Sequence, residues 1–195
     1  MELQYSQTLG NLMRLFAGET MARARYEYAA AAARAQGAPA LAALFDYTSG
    51  QEKEHAQVLW DLLKSAGVEE AEAPGTYPVD LGSDVSSLLH RAADYEFKEA
   101  DTVYPAFAAA ARAEGFDPIA DRLALLGEIE RLHGERFARF ASLWEGGSLF
   151  RGGADTVWIC LNCGDVAAGE EPPASCPVCA HEKGFFVRMN ASPFQ

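Results

Sequence analysis

The sequence predicts an all-α four-helix bundle followed by a small metal-binding module, and three observations carry that expectation. Residues 3 to about 145 are rich in Ala, Leu, Glu and Arg with few β-branched residues, which is helix composition. Gly and Pro breakers cut this stretch into four segments. All four cysteines fall between Cys160 and Cys179. With 195 residues and 49% hydrophobic composition, the chain suffices for one domain of ordinary size plus something small. The expected bounds are 1–146 for the bundle, 147–156 for a linker and 157–195 for the module.

The first helix carries the stripe Leu9, Leu12, Phe16, Glu19, Arg23, Tyr26, at the steps of three and four that mark a buried helical face. Gly37 and Pro39 end it and start the second, whose stripe is Leu41, Phe45, Thr48, Glu52, His55, Leu59, Leu62. Gly67 through Asp84 form a connection long enough to cross from one helical hairpin to another. The third helix follows with Leu89, Ala92, Glu96, Glu99, Val103, Ala106, Ala110. Gly115 to Pro118 precede the fourth, which carries Ile119, Leu123, Leu126, Glu130, His133, Phe137, Phe140, Trp144. Gly146, Gly147, Gly152 and Gly153 then read as a linker, and the segment after Trp158 has too little apolar material to fold without a metal.

Bulk properties exclude several function classes. A net charge of −12 opposes nucleic acid and anionic membranes, which reward clustered Lys and Arg. No run approaches the roughly 20 apolar residues of a membrane span. Met1 to Gly10 lacks a basic segment followed by an apolar one, so a cytoplasmic location is expected.

Each stripe is apolar at its ends and ionisable in the middle. Glu19, Glu52, Glu96, Glu99 and Glu130 would therefore share one interior layer with His55 and His133. Buried carboxylates cost several kcal/mol each unless compensated, and two imidazoles cannot compensate five. Cations are required. Two metal ions bridged by carboxylates answer the need, and the pairs Glu52/His55 and Glu130/His133 present both ligand types on one face. The competing reading, a bundle with solvated charged faces, does not explain why these residues fall on the apolar stripes. Tyr26 and Tyr104 are either plain core or hydrogen-bond partners of ligand carboxylates. His90 and His181 lie off the patterns.

Cys160-Leu-Asn-Cys163 and Cys176-Pro-Val-Cys179 are two chelating knuckles that make a closed tetrathiolate. The spacing alone accepts zinc or iron. A redox-active pair of metals on the same chain needs an electron source, which iron supplies and zinc does not.

Together these residues resemble the rubrerythrin family over almost the whole chain. Phe16-Ala-Gly-Glu19 continuing to Tyr26, the segment Glu96-x-x-Glu99-x4-Tyr104-Pro105-x-Phe107, and the tail with Trp158, Cys163-Gly164 and Cys176-Pro177-x-Cys179 carry the likeness. The resemblance implies a ferritin-like four-helix bundle holding two non-haem irons, then a rubredoxin-like domain holding one iron on Cys160, Cys163, Cys176 and Cys179. It implies that Glu52 and Glu130 bridge the irons, that Glu19 and Glu96 are terminal, and that His133 is a permanent ligand. Glu99 and His55 would alternate at one iron with its redox state, while Tyr26 and Tyr104 bond the ligand carboxylates. Two residues depart from the pattern. Asp165 stands where an aromatic residue is common, a change expected to alter the tail iron's potential or exposure, and Gly134 follows His133 at a cost of up to about 1 kcal/mol of helix propensity.

The expected function is a two-electron reduction of hydrogen peroxide to water, with catalytic roles for Glu99, His55, Tyr26 and Tyr104. Electrons would come through the tail from a separate reductase or rubredoxin, because the chain has no glycine-rich dinucleotide fingerprint. The resemblance further implies a head-to-tail homodimer. The alternatives are an iron-binding protein with ferroxidase activity, which has no need of Glu99, and a zinc-ribbon module on a structural bundle.

Overall fold

The computed structural model describes residues 2–67, 69–80, 82 and 84–192. Helix α1 (Gln7–Ala35) starts at Ser6, whose side chain accepts from the Leu9 N–H. Gly37, at φ 72°, ends it: the left-handed turn lets the Ala38 N–H reach the Ala33 carbonyl at 2.9 Å. Helix α2 (Pro39–Ser65) opens on Pro39, where a missing N–H costs nothing. After the crossover connection, Asp84 caps α3 (Val85–Lys98) through the Ser87 N–H at 2.9 Å. A π-helical turn, Glu99–Val103, joins α3 to α4 (Tyr104–Ala113), and α5 (Asp117–Glu145) completes the bundle. The hairpin α1–α2 faces a second one, α3–α4 against α5. Among the described residues, no helix is long and apolar enough to cross a membrane.

The π turn corrects the expected third stripe. Pro105 has no N–H and its ring would crowd the Asp101 carbonyl in a regular helix, so the backbone widens and the Tyr104 N–H bonds instead to Glu99. One extra residue enters the turn. Up to Glu96 the stripe runs as expected, but beyond it Ala100, Tyr104 and Ala111 are buried, while Ala106 is exposed. Smaller corrections fall at helix ends and on α1. Leu63 is buried where Leu62 was expected, and Arg23 is exposed and paired with Glu27 at 2.9 Å, leaving Ala22 to the core.

Gly127 and Gly134 let α5 approach the α3–α4 helix closely on either side of Glu130 and His133. A Cβ on Gly134 would lie 2.9 Å from the Phe97 ring, and one on Gly127 would lie 2.9 Å from the Cβ of Tyr104. Gly134 is thus a contact rather than a simple loss of propensity. A ring edge turns, whereas a Cβ moves only with its backbone. Gly127→Ala is therefore expected to lose stability, since overpacking of about 1–3 kcal/mol exceeds the ~1 kcal/mol propensity gain. Gly134→Ala should lie closer to neutral. Chemical denaturation of both variants checks the order.

The tail is a three-stranded antiparallel sheet in the order β2-β1-β3, from β1 (Val157–Cys160), β2 (Val166–Ala168) and β3 (Phe186–Arg188). Trp158, Phe186, Cys160 and Cys176 form its core. Val187, Leu149 and Phe150 instead pack with α1, α2 and α5 at the far end of the bundle, and Arg188 donates to the Ser148 carbonyl at 2.7 Å. Leu149 and Phe150, within the glycine-rich segment, are accordingly packed against their own bundle. Of the apolar residues that flank the segment's glycines, Phe150 and Trp158 are used within the chain, and Val157 is exposed and open to a neighbour.

Candidate metal centres

Four helices each bring ligands to one layer midway along the bundle. α1 supplies Glu19, α2 Glu52 and His55, α3 Glu96, and α5 Glu130 and His133, every one of them buried. Their ligand atoms fall into two groups, Glu19/Glu52/His55/Glu130 and Glu52/Glu96/Glu130/His133, each with its atoms within 4.8 Å of one another. Glu52 and Glu130 belong to both. Two ions sharing two carboxylates are what such an overlap accommodates.

The state of these atoms shows that ions belong there. His55 Nδ1 lies 2.8 Å from Glu130 Oε1, and His133 Nδ1 lies 2.9 Å from Glu52 Oε1 and 3.0 Å from Glu130 Oε2. Even so, both ring nitrogens, both Glu130 oxygens, Glu52 Oε1 and Glu19 Oε2 lack hydrogen bonds, although all are buried. Native interiors seldom tolerate so many unsatisfied polar atoms in one place. Carboxylates and imidazoles converging in this way fit a di-iron centre.

Without cations the layer is electrostatically frustrated. Burial, then the neighbouring carboxylates, push Glu19 and Glu96 well above the usual carboxylate range, and burial with Glu130 and Glu52 brings Glu99 up to about 8. Burial would raise Glu52 too, but contacts with His133 and His55 hold it below the usual range. Both histidines are raised, contacts with Glu130 outweighing the burial that would lower them. In the metal-free protein the stability contributed by Glu19, Glu96 and Glu99 is complete below the ordinary carboxylate value of 4.5. It is lost as pH rises, for Glu99 through about 8. The raised histidines add loss in the same direction, and Glu52 opposes it only in acid. Metal-stripped protein is therefore expected to melt at progressively lower temperature as pH rises through neutrality, and the metal-loaded protein is not. Melting curves of both forms across that range provide the check.

Tyr26 donates a short hydrogen bond to Glu96, and Tyr104 donates another to Glu19. Glu99 is not in either ligand group. It lines a cavity beside the layer together with Glu19, and is the one site carboxylate that keeps some exposure. His90 pairs with Glu145 at the surface, and His181 packs edge-on against Phe185 in the tail.

Two residues of the site have no signal in the sequence pattern. Gln51 Oε1 lies 3.1 Å from His133 Nε2 and accepts from Arg136 at 3.0 Å. An oxygen at that point fixes the proton on Nε2 and leaves Nδ1 for the metal, which is how outer partners orient a ligand imidazole. Gln51 lies off the buried stripe, so periodicity cannot find it.

In the tail, Cys160 and Cys179 sulfurs are 3.7 Å apart and those of Cys163 and Cys176 are 3.6 Å apart, all four within 4.8 Å. The knuckles repeat one geometry: the Gly164 N–H bonds to the Cys160 carbonyl at 2.8 Å, and the Ala180 N–H to the Cys176 carbonyl at 2.9 Å. Both turns need positive φ, natural for Gly164 at 80° and unusual for Ala180 at 59°. The His181 backbone N–H, more than any other contact, holds the Cys179 thiol down to about 6. Burial and the other three sulfurs push Cys163 up to about 12, outweighing its backbone contact with Asp165. Four sulfurs converging from two such knuckles fit a rubredoxin-like iron site. Asp165 Oδ2 lies 3.6 Å from the Cys176 sulfur, a charge beside a ligand where an aromatic ring was expected.

The chain matches known proteins along both parts. The family model described as rubrerythrin covers residues 10–141, and the one described as the rubrerythrin rubredoxin-like domain covers residues 158–187. It is 37% identical to a rubrerythrin of Clostridium perfringens, over 94% of this chain and 95% of that one. It is 34% identical to a rubrerythrin of Porphyromonas gingivalis, over 96% and 92% respectively. A solved structure of nigerythrin in a mixed-valence state superposes with a TM-score of 0.63 at 27% identity, covering 94% of this chain and 90% of that chain. The fully reduced, all-ferrous state gives 0.64 at 28%, with the same coverage.

Proposed function

The chain belongs to the rubrerythrin family, and on that premise we propose that it reduces hydrogen peroxide to water at the bundle's di-iron site, using electrons passed through the four-cysteine iron site. Iron binding and redox chemistry follow from family membership and the two metal sites; peroxide as substrate is our reading. The observation that carries it is Glu99, a fifth carboxylate held beside a ligand set that is already complete without it. Iron storage has no use for such a residue. A reduced iron pair supplies the two electrons that an O–O bond needs in order to break.

The chain's own groups manage position and protons. Glu99 lines the cavity beside the layer, so its carboxyl is placed to hand a proton to a departing oxygen and to serve as a ligand once charged. In this reading either Glu99 or His55 would complete the ligand set of one iron. Glu19, Glu52, Glu96, Glu130 and His133 remain in place, oriented by Tyr26, Tyr104 and Gln51.

Electrons come from a separate reductase or rubredoxin, and they cross between chains of a head-to-tail homodimer. The tail supports this by its distance. Leu161 and Asn162, between the first two cysteines, and Gly184 lie by Pro39 and Ala43 near the start of α2, which is roughly 14–20 Å from Glu52 along the helix at 1.5 Å per residue. Tunnelling decays exponentially with distance, so a partner's tail laid beside the layer is the better donor.

The test is Glu99→Ala. Metal analysis should still find two irons in the bundle, while peroxide turnover falls by about 100-fold, as expected when a proton-transfer group is lost. Undiminished turnover would contradict the role given to Glu99.

A further inference from the structure

We infer that the same site also reduces small organic hydroperoxides, whose apolar groups occupy the cavity between α1, the crossover connection and the π turn. This rests on the peroxide-reducing reading and extends its substrate class. The cavity has a volume of about 290 Å³, close to the roughly 300 Å³ at which small-molecule sites begin and far more than hydrogen peroxide fills. Glu19 and Glu99 line it on the metal side. Leu15, Tyr77, Pro78, Tyr95, Val103 and Phe107 make most of the remaining wall, with Arg14, Thr76 and Lys98 its polar members.

Hydrogen peroxide gains nothing from such walls, because it is as well hydrated as water. An alkyl or aryl group does gain, since leaving water is its main driving force for binding. The wall is also built rather than loose. The Tyr77 hydroxyl donates to the Arg14 carbonyl at 3.1 Å, Gly75 leaves no room for a Cβ beneath the Tyr77 ring, and the Arg14 guanidinium lies 4.9 Å from the Phe107 ring centroid. The step balances on the same terms as the proposed reduction of hydrogen peroxide. The O–O bond of ROOH breaks with uptake of two protons and two electrons, which two bound ferrous ions would supply one each, and an alcohol and water leave.

Gly18 offers a clean way to fill the space. It lines the cavity, and a Cβ there would meet nothing nearer than Tyr77 at 3.8 Å. Iron-loaded wild type and Gly18→Leu are compared for kcat/KM with cumene hydroperoxide and with hydrogen peroxide. Both are also titrated calorimetrically with 2-phenyl-2-propanol, the alcohol that cumene hydroperoxide would yield. Saturable alcohol binding to wild type, lost in Gly18→Leu, and a fall of about tenfold or more in the ratio of cumene hydroperoxide to hydrogen peroxide kcat/KM are expected. The titration on unaltered protein stands even if the variant folds poorly. Hydrogen peroxide turnover in wild type without alcohol binding, or an unchanged ratio in a folded variant, overturns the cavity assignment alone. Failure to turn over hydrogen peroxide would instead remove the reading beneath it.

Discussion

A protein carrying Cys176→Ser, mixed with one carrying Glu52→Ala and Glu130→Ala, is expected to recover reductase-linked peroxide turnover that neither parent has. The first parent keeps an intact bundle but loses one of four thiolates, and with it the visible ferric-thiolate absorption. The second keeps its tail but loses both carboxylates shared by the two ligand groups. If electrons cross between chains, the mixed dimer holds one intact tail opposite one intact bundle. Random exchange into symmetric pairs then restores about a quarter of wild-type activity. The docking of each tail on its own bundle, with Val187 and Phe150 in the core around α1 and α2, gives this result its force, since the cysteine knuckles then sit by Pro39 and Ala43, roughly 14–20 Å along α2 from their own Glu52. No recovery after demonstrated exchange would mean transfer within one chain.

Much of the site was legible because helical period and ligand chemistry speak at the same positions. The stripes of α2 and α5 run straight through Glu52/His55 and Glu130/His133, and nothing interrupts their register. The α3–α4 stripe failed after Glu96 because period assumes a constant turn. Pro105 was the available signal, since a proline inside a helix obliges the preceding turn to change. Gly134 misled in another way: propensity counts what a residue does to its own helix, whereas the Phe97 contact lies between helices. Gln51 and Arg136 had no signal, because one hydrogen bond to His133 imposes no pattern on the chain. The use of Phe150 was equally hidden. An apolar residue after a glycine-rich stretch fits its own bundle as readily as a neighbour.

In the proposed reaction the bundle is the place where peroxide reacts and the tail is a relay to it. Rapid mixing of fully reduced, iron-loaded protein with hydrogen peroxide measures this directly, with the return of ferric-thiolate absorption as the signal. A closed tetrathiolate leaves no open position for peroxide, and its buried Cys160 and Cys176 restrict access further. The tail should therefore be reoxidised only by passing its electron to the bundle. Absorption is expected to return at least about 100-fold faster in the wild type than in the Glu52→Ala, Glu130→Ala protein, the size of effect that follows when a metal site loses the groups that assemble it. Equal rates in the two proteins would show that peroxide oxidises the tail iron without the bundle, contradicting the account at its centre.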